Sequence, residues 1–133
     1  MVWTSVTLES MRSTIEMLFH SPSWPANDAY VERRFQISLE PGAWECAAAA
    51  RFRAPVRETS TPFGRPDETP YEQIEAPTLL IAGANDKLRE PGYATEVAAR
   101  IPGGRAEVLP DCGHLPNVEQ AAEFNRLLGC LFH

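Results

Sequence analysis

Hydrophobic residues in the first part of the chain follow a helical spacing. They recur every three or four positions, at Leu8, Met11, Ile15, Leu18 and Phe19. With Thr7 as its cap, this spacing predicts a helix that ends near residues 21–22. Two further short helices are predicted over residues 28–39, with Val31 and Phe35 inward, and over residues 43–52.

The second part of the chain alternates between strand and helix patterns. Residues 78–82 form a continuous apolar run between Pro77 and Gly83, which is typical of a parallel strand buried on both faces. A helix with inward positions at Ala94, Val97, Ala98 and Ile101 follows, and then a second strand over residues 106–109. Asn117, with Gln120 three positions later, is predicted to cap a last helix. The order β-α-β-α implies a right-handed crossover between two parallel strands.

A proline-rich connection separates the two parts. It contains Pro55, Pro62, Pro66 and Pro70, and a segment of this composition sustains neither a helix nor a central strand. The sequence therefore predicts three parts: a helical segment over residues 1–53, a connection over residues 54–76, and an α/β part over residues 77–133.

Composition excludes several classes of function. The 133 residues carry a formal net charge of −6, which argues against nucleic acid as a partner. The three cysteines are too few and too scattered for a disulfide framework, and none forms a Cys-x-x-Cys pair, so a reducing, cytoplasmic setting is expected. No apolar stretch approaches the roughly 20 residues that span a bilayer, so no membrane association is expected.

Asp86 and His114 are the candidate catalytic residues. Each follows a predicted strand, and the carboxyl ends of parallel strands carry the functional groups of open α/β sheets. One helix and one strand separate the two residues, so adjacent strands would bring them to the same edge. A carboxylate there can accept the imidazole Nδ1 proton while Nε2 takes a proton from a nucleophile.

The nucleophile that such a pair would serve is missing from the sequence. No Gly-x-Ser-x-Gly and no other serine or cysteine on a glycine-flanked turn occurs in the 133 residues. Asp111 is interpreted as a turn residue and Cys112 as a buried, small apolar residue. A metal-assisted chemistry that uses Asp111, Cys112 and His114 is a third-ranked alternative, because the cluster is too tight in sequence to surround a metal ion without distortion.

Two segments resemble the α/β-hydrolases. They are APTLLIAGAND over residues 76–86 and LPDCGHLPNVEQAAEFN over residues 109–125. The resemblance implies an α/β class with a partial α/β-hydrolase fold, in which a helical lid precedes β-α-β-α of a parallel sheet. It also implies a Ser-Asp-His triad with Asp86 as the acid and His114 as the base. The first six strands and the nucleophile of that family would lie before Met1, and its chemistry needs no cofactor and no metal.

A finer resemblance concerns the substrate. The lid segment VERRFQIS over residues 31–38 and the Glu-Phe-Asn near the end are similar to hydrolases of meta-cleavage products, which break a carbon–carbon bond beside a carbonyl. This resemblance implies that Arg34 binds the substrate's carboxylate or enolate, although Arg34 also fits a solvated helix face. Leu115 is the second predicted substrate contact and stands where that group carries tryptophan, so ester or lactone hydrolysis remains open.

We therefore expect the carboxyl-terminal part of a hydrolase that acts on a small apolar ester or dienone-type substrate. The alternative is a non-catalytic, truncated remnant or a module that binds small apolar ligands. Because two parallel strands make a poor sheet, the expected partner is a separate amino-terminal half or, through self-association, a second copy of the chain.

Overall fold

The computed structural model describes residues 6–43 and residues 69–131. The helices of the first segment are α1 (Leu8–Leu18), α2 (Ser23–Ala26) and α3 (Asp28–Ser38). The second segment begins with a 3₁₀ turn (Tyr71–Gln73) and continues through β1 (Leu79–Gly83), α4 (Gly92–Arg100), β2 (Arg105–Leu109), α5 (Pro116–Glu119) and α6 (Ala121–Leu131). The predicted α/β class and the order β-α-β-α are confirmed.

Capping residues set the starts of α1 and α3. The Thr7 hydroxyl accepts from the Ser10 N–H at 3.1 Å, and the Ser10 hydroxyl accepts from the Thr7 N–H at 2.9 Å, which together form a capping box. The Asn27 side chain accepts from the Tyr30 N–H at 3.1 Å and so caps α3. The predicted starts of both helices are confirmed, and α3 ends one residue before its predicted end. Helix α1 ends at Leu18, earlier than the predicted residues 21–22.

Helices α1, α2 and α3 share a small apolar core. Ile15, Phe19 and Val31 are buried at its centre, and Leu115 and Val118 from the second segment pack against them. Since residues far apart in sequence contribute to one cluster, these three helices and the segment after β2 are packed together.

The sheet of the described residues has two parallel strands. Its register pairs Leu79 with Arg105 and Gly83 with Leu109, so both strands end at the same edge. Helix α4 makes the crossover and packs on both strands. Its inward residues are buried as predicted, at Ala94, Val97, Ala98 and Ile101.

The first strand is less buried than predicted. Positions 79–82 are half-buried, and only Gly83 is buried. The reason is that within the described residues β1 has one neighbouring strand, β2, and α4 covers part of one face. A strand with a single partner keeps one backbone edge and some of its side-chain surface accessible.

The prediction that Asn117 caps the last helix was wrong. The helix starts at Pro116, with Leu115 in the cap position and no side-chain cap. Proline is favoured at the first helical position because it has no N–H, and an N–H at this position would have no partner within the helix. The chain then breaks at Gln120 before α6 begins. The Gln120 side-chain amide donates to the carbonyl of Pro110 at 2.5 Å instead of completing a capping box.

Some predictions fall outside the described residues. The third helix over residues 43–52 and most of the connection over residues 54–76 belong to the part that is not described, residues 44–68. Within residues 6–43 and 69–131, no helix is long and apolar enough to cross a membrane.

Candidate active site

Asp86 and His114 are brought together at the carboxyl edge of the sheet. Asp86 lies three residues after β1 and His114 lies five residues after β2. The Nδ1 atom of His114 is 2.8 Å from Oδ2 of Asp86, across 28 positions of sequence. Because an ionised carboxylate only accepts hydrogen bonds, Nδ1 carries the proton of this bond, and Nε2 is then the basic nitrogen.

Gly83 allows the acid-bearing loop to lie directly on the histidine-bearing loop. A Cβ atom at this position would overlap the backbone oxygens of Cys112 and Gly113. Two backbone bonds hold the loops together, from the Ala84 N–H to the Leu109 carbonyl and from the Asn85 N–H to the Cys112 carbonyl, each 2.8 Å long. The sequence indicated Gly83 as the exit from the strand, but only the structure shows this close approach.

Asp86 is stabilised as a carboxylate. Its side chain is 8% exposed, and this burial raises its pKa, but the hydrogen bond from His114 lowers it. The N–H groups of Leu88 and Arg89 also donate to Oδ1, at 2.7 Å and 3.2 Å. These bonds and the charge of the imidazole outweigh the burial, so the pKa of Asp86 is lowered from its usual value. Asp86 is thus a fixed negative charge at neutral pH.

His114 lines a cavity. Among the described residues Nε2 has no hydrogen-bond partner, and the side chain is 36% exposed. Asp86 and His114 line a cavity of about 260 Å³ together with apolar residues of β1 and α4, namely Leu80, Ile81, Ala82 and Ala94. No serine, threonine or cysteine is among the described residues that line it. The cavity therefore offers an acid–base pair and an apolar wall, but no nucleophile from this part of the chain.

The surroundings of Cys112 and Asp111 indicate structural roles for both residues. Cys112 is fully buried, and burial, together with the negative charges of Glu119 and Asp86, raises the pKa of its thiol to about 11. Such a thiol is a poor nucleophile at neutral pH. Asp111 adopts a positive φ of 50° in the turn after β2, with its exposed carboxylate 3.8 Å from Nε2 of His20. The predictions of a turn residue and a buried, small apolar residue are confirmed.

The metal alternative finds no support in this geometry. Within the described ranges, no three histidine, cysteine or acidic side chains converge in a way that could hold a metal ion. Asp111, Cys112 and His114 occupy one turn but face different surroundings, since Asp111 is exposed, Cys112 is enclosed, and His114 is bonded to Asp86.

The two predicted substrate contacts do not line this cavity. Arg34 is half-buried on α3 and is not among the described residues that line it. Leu115, next to His114 in the chain, packs against the core of the first three helices and is not among the lining residues either. Their roles in substrate binding stay predictions.

Sequence patterns did not indicate two residues that join the site to the first helical segment. The carboxylate of Glu119 accepts from the backbone N–H groups of Gly113, His20 and Ser21, and the Lys87 ammonium donates to the Glu16 carbonyl at 2.7 Å. Two of these contacts span 98 and 99 positions. No local pattern predicts pairs this distant in sequence.

The geometry agrees with what the sequence shares with known proteins. The sequence profile described as "Alpha/beta hydrolase family" matches residues 5–127. The chain belongs to this family. A curated relative, 2-hydroxymuconate semialdehyde hydrolase of Pseudomonas putida, is 30% identical over 122 residues, which are 92% of this chain. A putative non-heme bromoperoxidase, BpoC of Mycobacterium tuberculosis, is 40% identical over 55 residues, 41% of this chain and 21% of its own.

Solved structures show the same fold. The meta-cleavage product hydrolase CumD of Pseudomonas fluorescens IP01 aligns with a TM-score of 0.76 and 24% identity, over 97% of this chain and 46% of that chain. The 133 residues likewise span 42% of the length of the Pseudomonas putida hydrolase. The chain therefore corresponds to less than half of these hydrolases, and the predicted resemblance to a part of the α/β-hydrolase fold is confirmed.

Proposed function

We propose that this chain supplies the acid and the base of an α/β-hydrolase triad, with Asp86 orienting His114 and His114 acting as the general base. The observation that supports this proposal is the 2.8 Å bond between Nδ1 and Oδ2 at the carboxyl edge of the sheet. Ion pairs of this kind also occur for structural reasons, but here both members of the pair line a cavity, and the chain belongs to a hydrolase family.

The proposed mechanism divides the work between the two side chains. Asp86 holds the imidazole in the tautomer that leaves Nε2 unprotonated, and it stabilises the imidazolium that forms when Nε2 accepts a proton. His114 then returns this proton to the leaving group. Because Asp86 has a lowered pKa, it stays ionised through the cycle and acts as an orienter rather than as a proton acceptor.

The nucleophile comes from outside these 133 residues in this proposal. The described cavity lining contains no hydroxyl or thiol of serine, threonine or cysteine, and the nearby Cys112 has its pKa raised to about 11. The 133 residues also contain no Gly-x-Ser-x-Gly. A second chain, or a further part of the same protein, must therefore place a serine within reach of Nε2.

The proposed substrate is a small apolar molecule with a carbonyl beside the bond that breaks. The cavity wall is apolar along β1, which suits such a molecule. Relatives named as hydrolases of 2-hydroxymuconate semialdehyde favour carbon–carbon cleavage of a meta-cleavage product, with Arg34 as the carboxylate or enolate contact. Leu115, in place of tryptophan, keeps an ester or lactone as the second candidate.

The test measures hydrolysis of an activated ester and of a ring-fission dienone. Each is offered to the chain alone and to the chain mixed with the part of the Pseudomonas putida hydrolase that it does not match. His114→Ala removes the proposed base. The matched control is His20→Ala, which removes an imidazole that does not line the cavity.

We expect turnover only in the mixture, lost in His114→Ala and retained in His20→Ala. If the two parts associate but neither substrate is hydrolysed, and a dienone still binds, the chain is a binding module and the proposal is wrong. Equal turnover in His114→Ala would likewise remove His114 from the mechanism.

A further inference from the structure

The carboxylate of Glu119 lies between the histidine-bearing loop and the end of the first lid helix. Its Oε2 accepts from the Gly113 N–H at 2.6 Å and from the His20 N–H at 3.2 Å, and its Oε1 accepts from the Ser21 N–H at 2.5 Å. One side chain thus binds three backbone groups on two segments. Bonds from N–H groups to an ionised carboxylate are among the stronger hydrogen bonds in proteins.

The same two segments touch along their backbones. The His114 N–H donates to the carbonyl of Leu18 at 2.8 Å, in the last residue of α1. A Cβ atom on Gly113 would lie 2.7 Å from both the Leu18 oxygen and the His20 nitrogen. The backbone immediately before His114 is therefore packed directly against the end of α1. The Glu119 carboxylate adds hydrogen bonds to both segments.

The acid-bearing loop reaches the same helix end. Lys87, next to Asp86, donates from Nζ to the carbonyl of Glu16 at 2.7 Å. The last turn of α1 therefore holds the loop of the acid and the loop of the base. A shift of α1 would move both members of the 2.8 Å bond between Asp86 and His114.

We propose that Glu119 is a positioning residue for His114. Its charge fixes the backbone of Gly113 to the end of α1, and this fixation keeps the imidazole at hydrogen-bonding distance from Asp86. The inference rests on the proposed function, in which His114 is the base, but the pairing of His114 with Asp86 is measurable without turnover.

Both oxygens of Glu119 are used, so glutamine cannot replace it. Whichever way the glutamine amide turns, its NH₂ group faces a backbone N–H, either that of Ser21 or those of Gly113 and His20. Glu119→Gln therefore keeps the size of the side chain and removes at least one contact. Glu123→Gln is the matched control, because it makes the same change of charge on α6, where Glu123 pairs only with the exposed Arg126 among the described residues.

The experiment follows backbone amide exchange and the Nδ1–H proton of His114 by NMR in the full chain. In Glu119→Gln we expect the amides of Gly113, His20 and Ser21 to exchange at least tenfold faster, and the Nδ1–H signal to broaden or disappear. Amides of β1 and β2 should exchange as in the unmodified chain, which separates local loosening from global unfolding. Glu123→Gln should change neither signal.

Two results would overturn the inference. The first is unchanged exchange at the three amides. The second is faster exchange with an intact Nδ1–H signal, since Glu119 would then hold the backbone without positioning the imidazole. If Glu119→Gln does not fold, Glu119→Asp keeps the charge but shortens the reach, and the same two signals decide. Absence of hydrolysis would count against the proposed function and leave these readouts unaffected.

Discussion

Replacing Gly83 with alanine tests whether the acid and base loops depend on their close backbone approach. The new methyl group would overlap the Cys112 and Gly113 oxygens and would lie 2.7 Å from the Cys112 carbonyl carbon, where ordinary contact begins at 3.4 Å. The atoms it meets are backbone atoms, so no side chain can rotate away. The loop that carries His114 must move by about 0.7 Å or more, a shift of the size that overpacked cores force on the backbone.

A shift of this size is large enough to break the hydrogen bond between His114 and Asp86. The bond from Nδ1 to Oδ2 measures 2.8 Å, and a displacement of about 0.7 Å along it reaches the roughly 3.5 Å at which a hydrogen bond ends. Overpacking of this kind costs roughly 1–3 kcal/mol of unfolding free energy, more where backbone atoms clash. In a chain of this length each kcal/mol corresponds to roughly 3–5 °C in Tm.

The assay compares thermal unfolding and the Nδ1–H signal of His114 in Gly83→Ala and Gly129→Ala. A Cβ atom at Gly129, in helix α6, would meet nothing within 4 Å, so this control adds a methyl group without a clash. Alanine in a helix is favoured over glycine by up to about 1 kcal/mol, so Gly129→Ala should melt at or above the Tm of the unmodified chain. If Gly83→Ala melts within 1–2 °C of the unmodified chain and keeps the Nδ1–H signal, the reasoning about loop contact is wrong.

Three further predictions follow from the site and the sheet. Asp86→Asn removes a charged hydrogen-bond acceptor whose side chain is 8% exposed, so we expect the free energy of unfolding, measured in urea at neutral pH, to fall by roughly 1.5–3 kcal/mol. Hydrolysis by the chain mixed with the missing part should be abolished. Folding lowers the pKa of Asp86, so its stabilisation is present above the unfolded-state value of about 3.9 and is lost as the pH falls through the folded-state value. The Tm of the unmodified chain should therefore fall more steeply than that of Asp86→Asn on acidification below about pH 4, and parallel curves would contradict this. Burial raises the pKa of the Cys112 thiol to about 11, so about one part in a thousand of it is ionised at pH 8. After brief iodoacetamide treatment, mass spectrometry should therefore find the label on the exposed Cys130. Cys112 should be labelled only when the chain is unfolded. Equal labelling would show that Cys112 is accessible. The half-buried apolar strand β1 should make the chain alone self-associate, and a monodisperse monomer by light scattering, with a cooperative melt, would refute this expectation.

Much of the secondary structure could be predicted from local sequence patterns. The cap at Thr7, the spacing of Ile15 and Phe19, and the apolar run after Pro77 depend on residues within a few positions of each other, and the elements that they predict are present. The end of the first helix was predicted too late, near residues 21–22 instead of Leu18. The cap at Asn117 failed because two local signals competed there. Pro116 starts the helix two positions earlier than a cap at Asn117 would, and the Gln120 side chain bonds the turn after β2.

The order of the elements, and the meeting of Asp86 and His114 at one edge of the sheet, could be predicted from spacing along the chain. The two residues could be recognised because parallel strands end at one edge, so residues that each follow a strand lie close together there. The contacts that hold this pair became visible only in the folded chain. The contact at Gly83, the three bonds of Glu119 and the bond from Lys87 to Glu16 join segments that lie up to 99 positions apart. Such contacts depend on how helices and loops pack in space, which no spacing along the chain encodes.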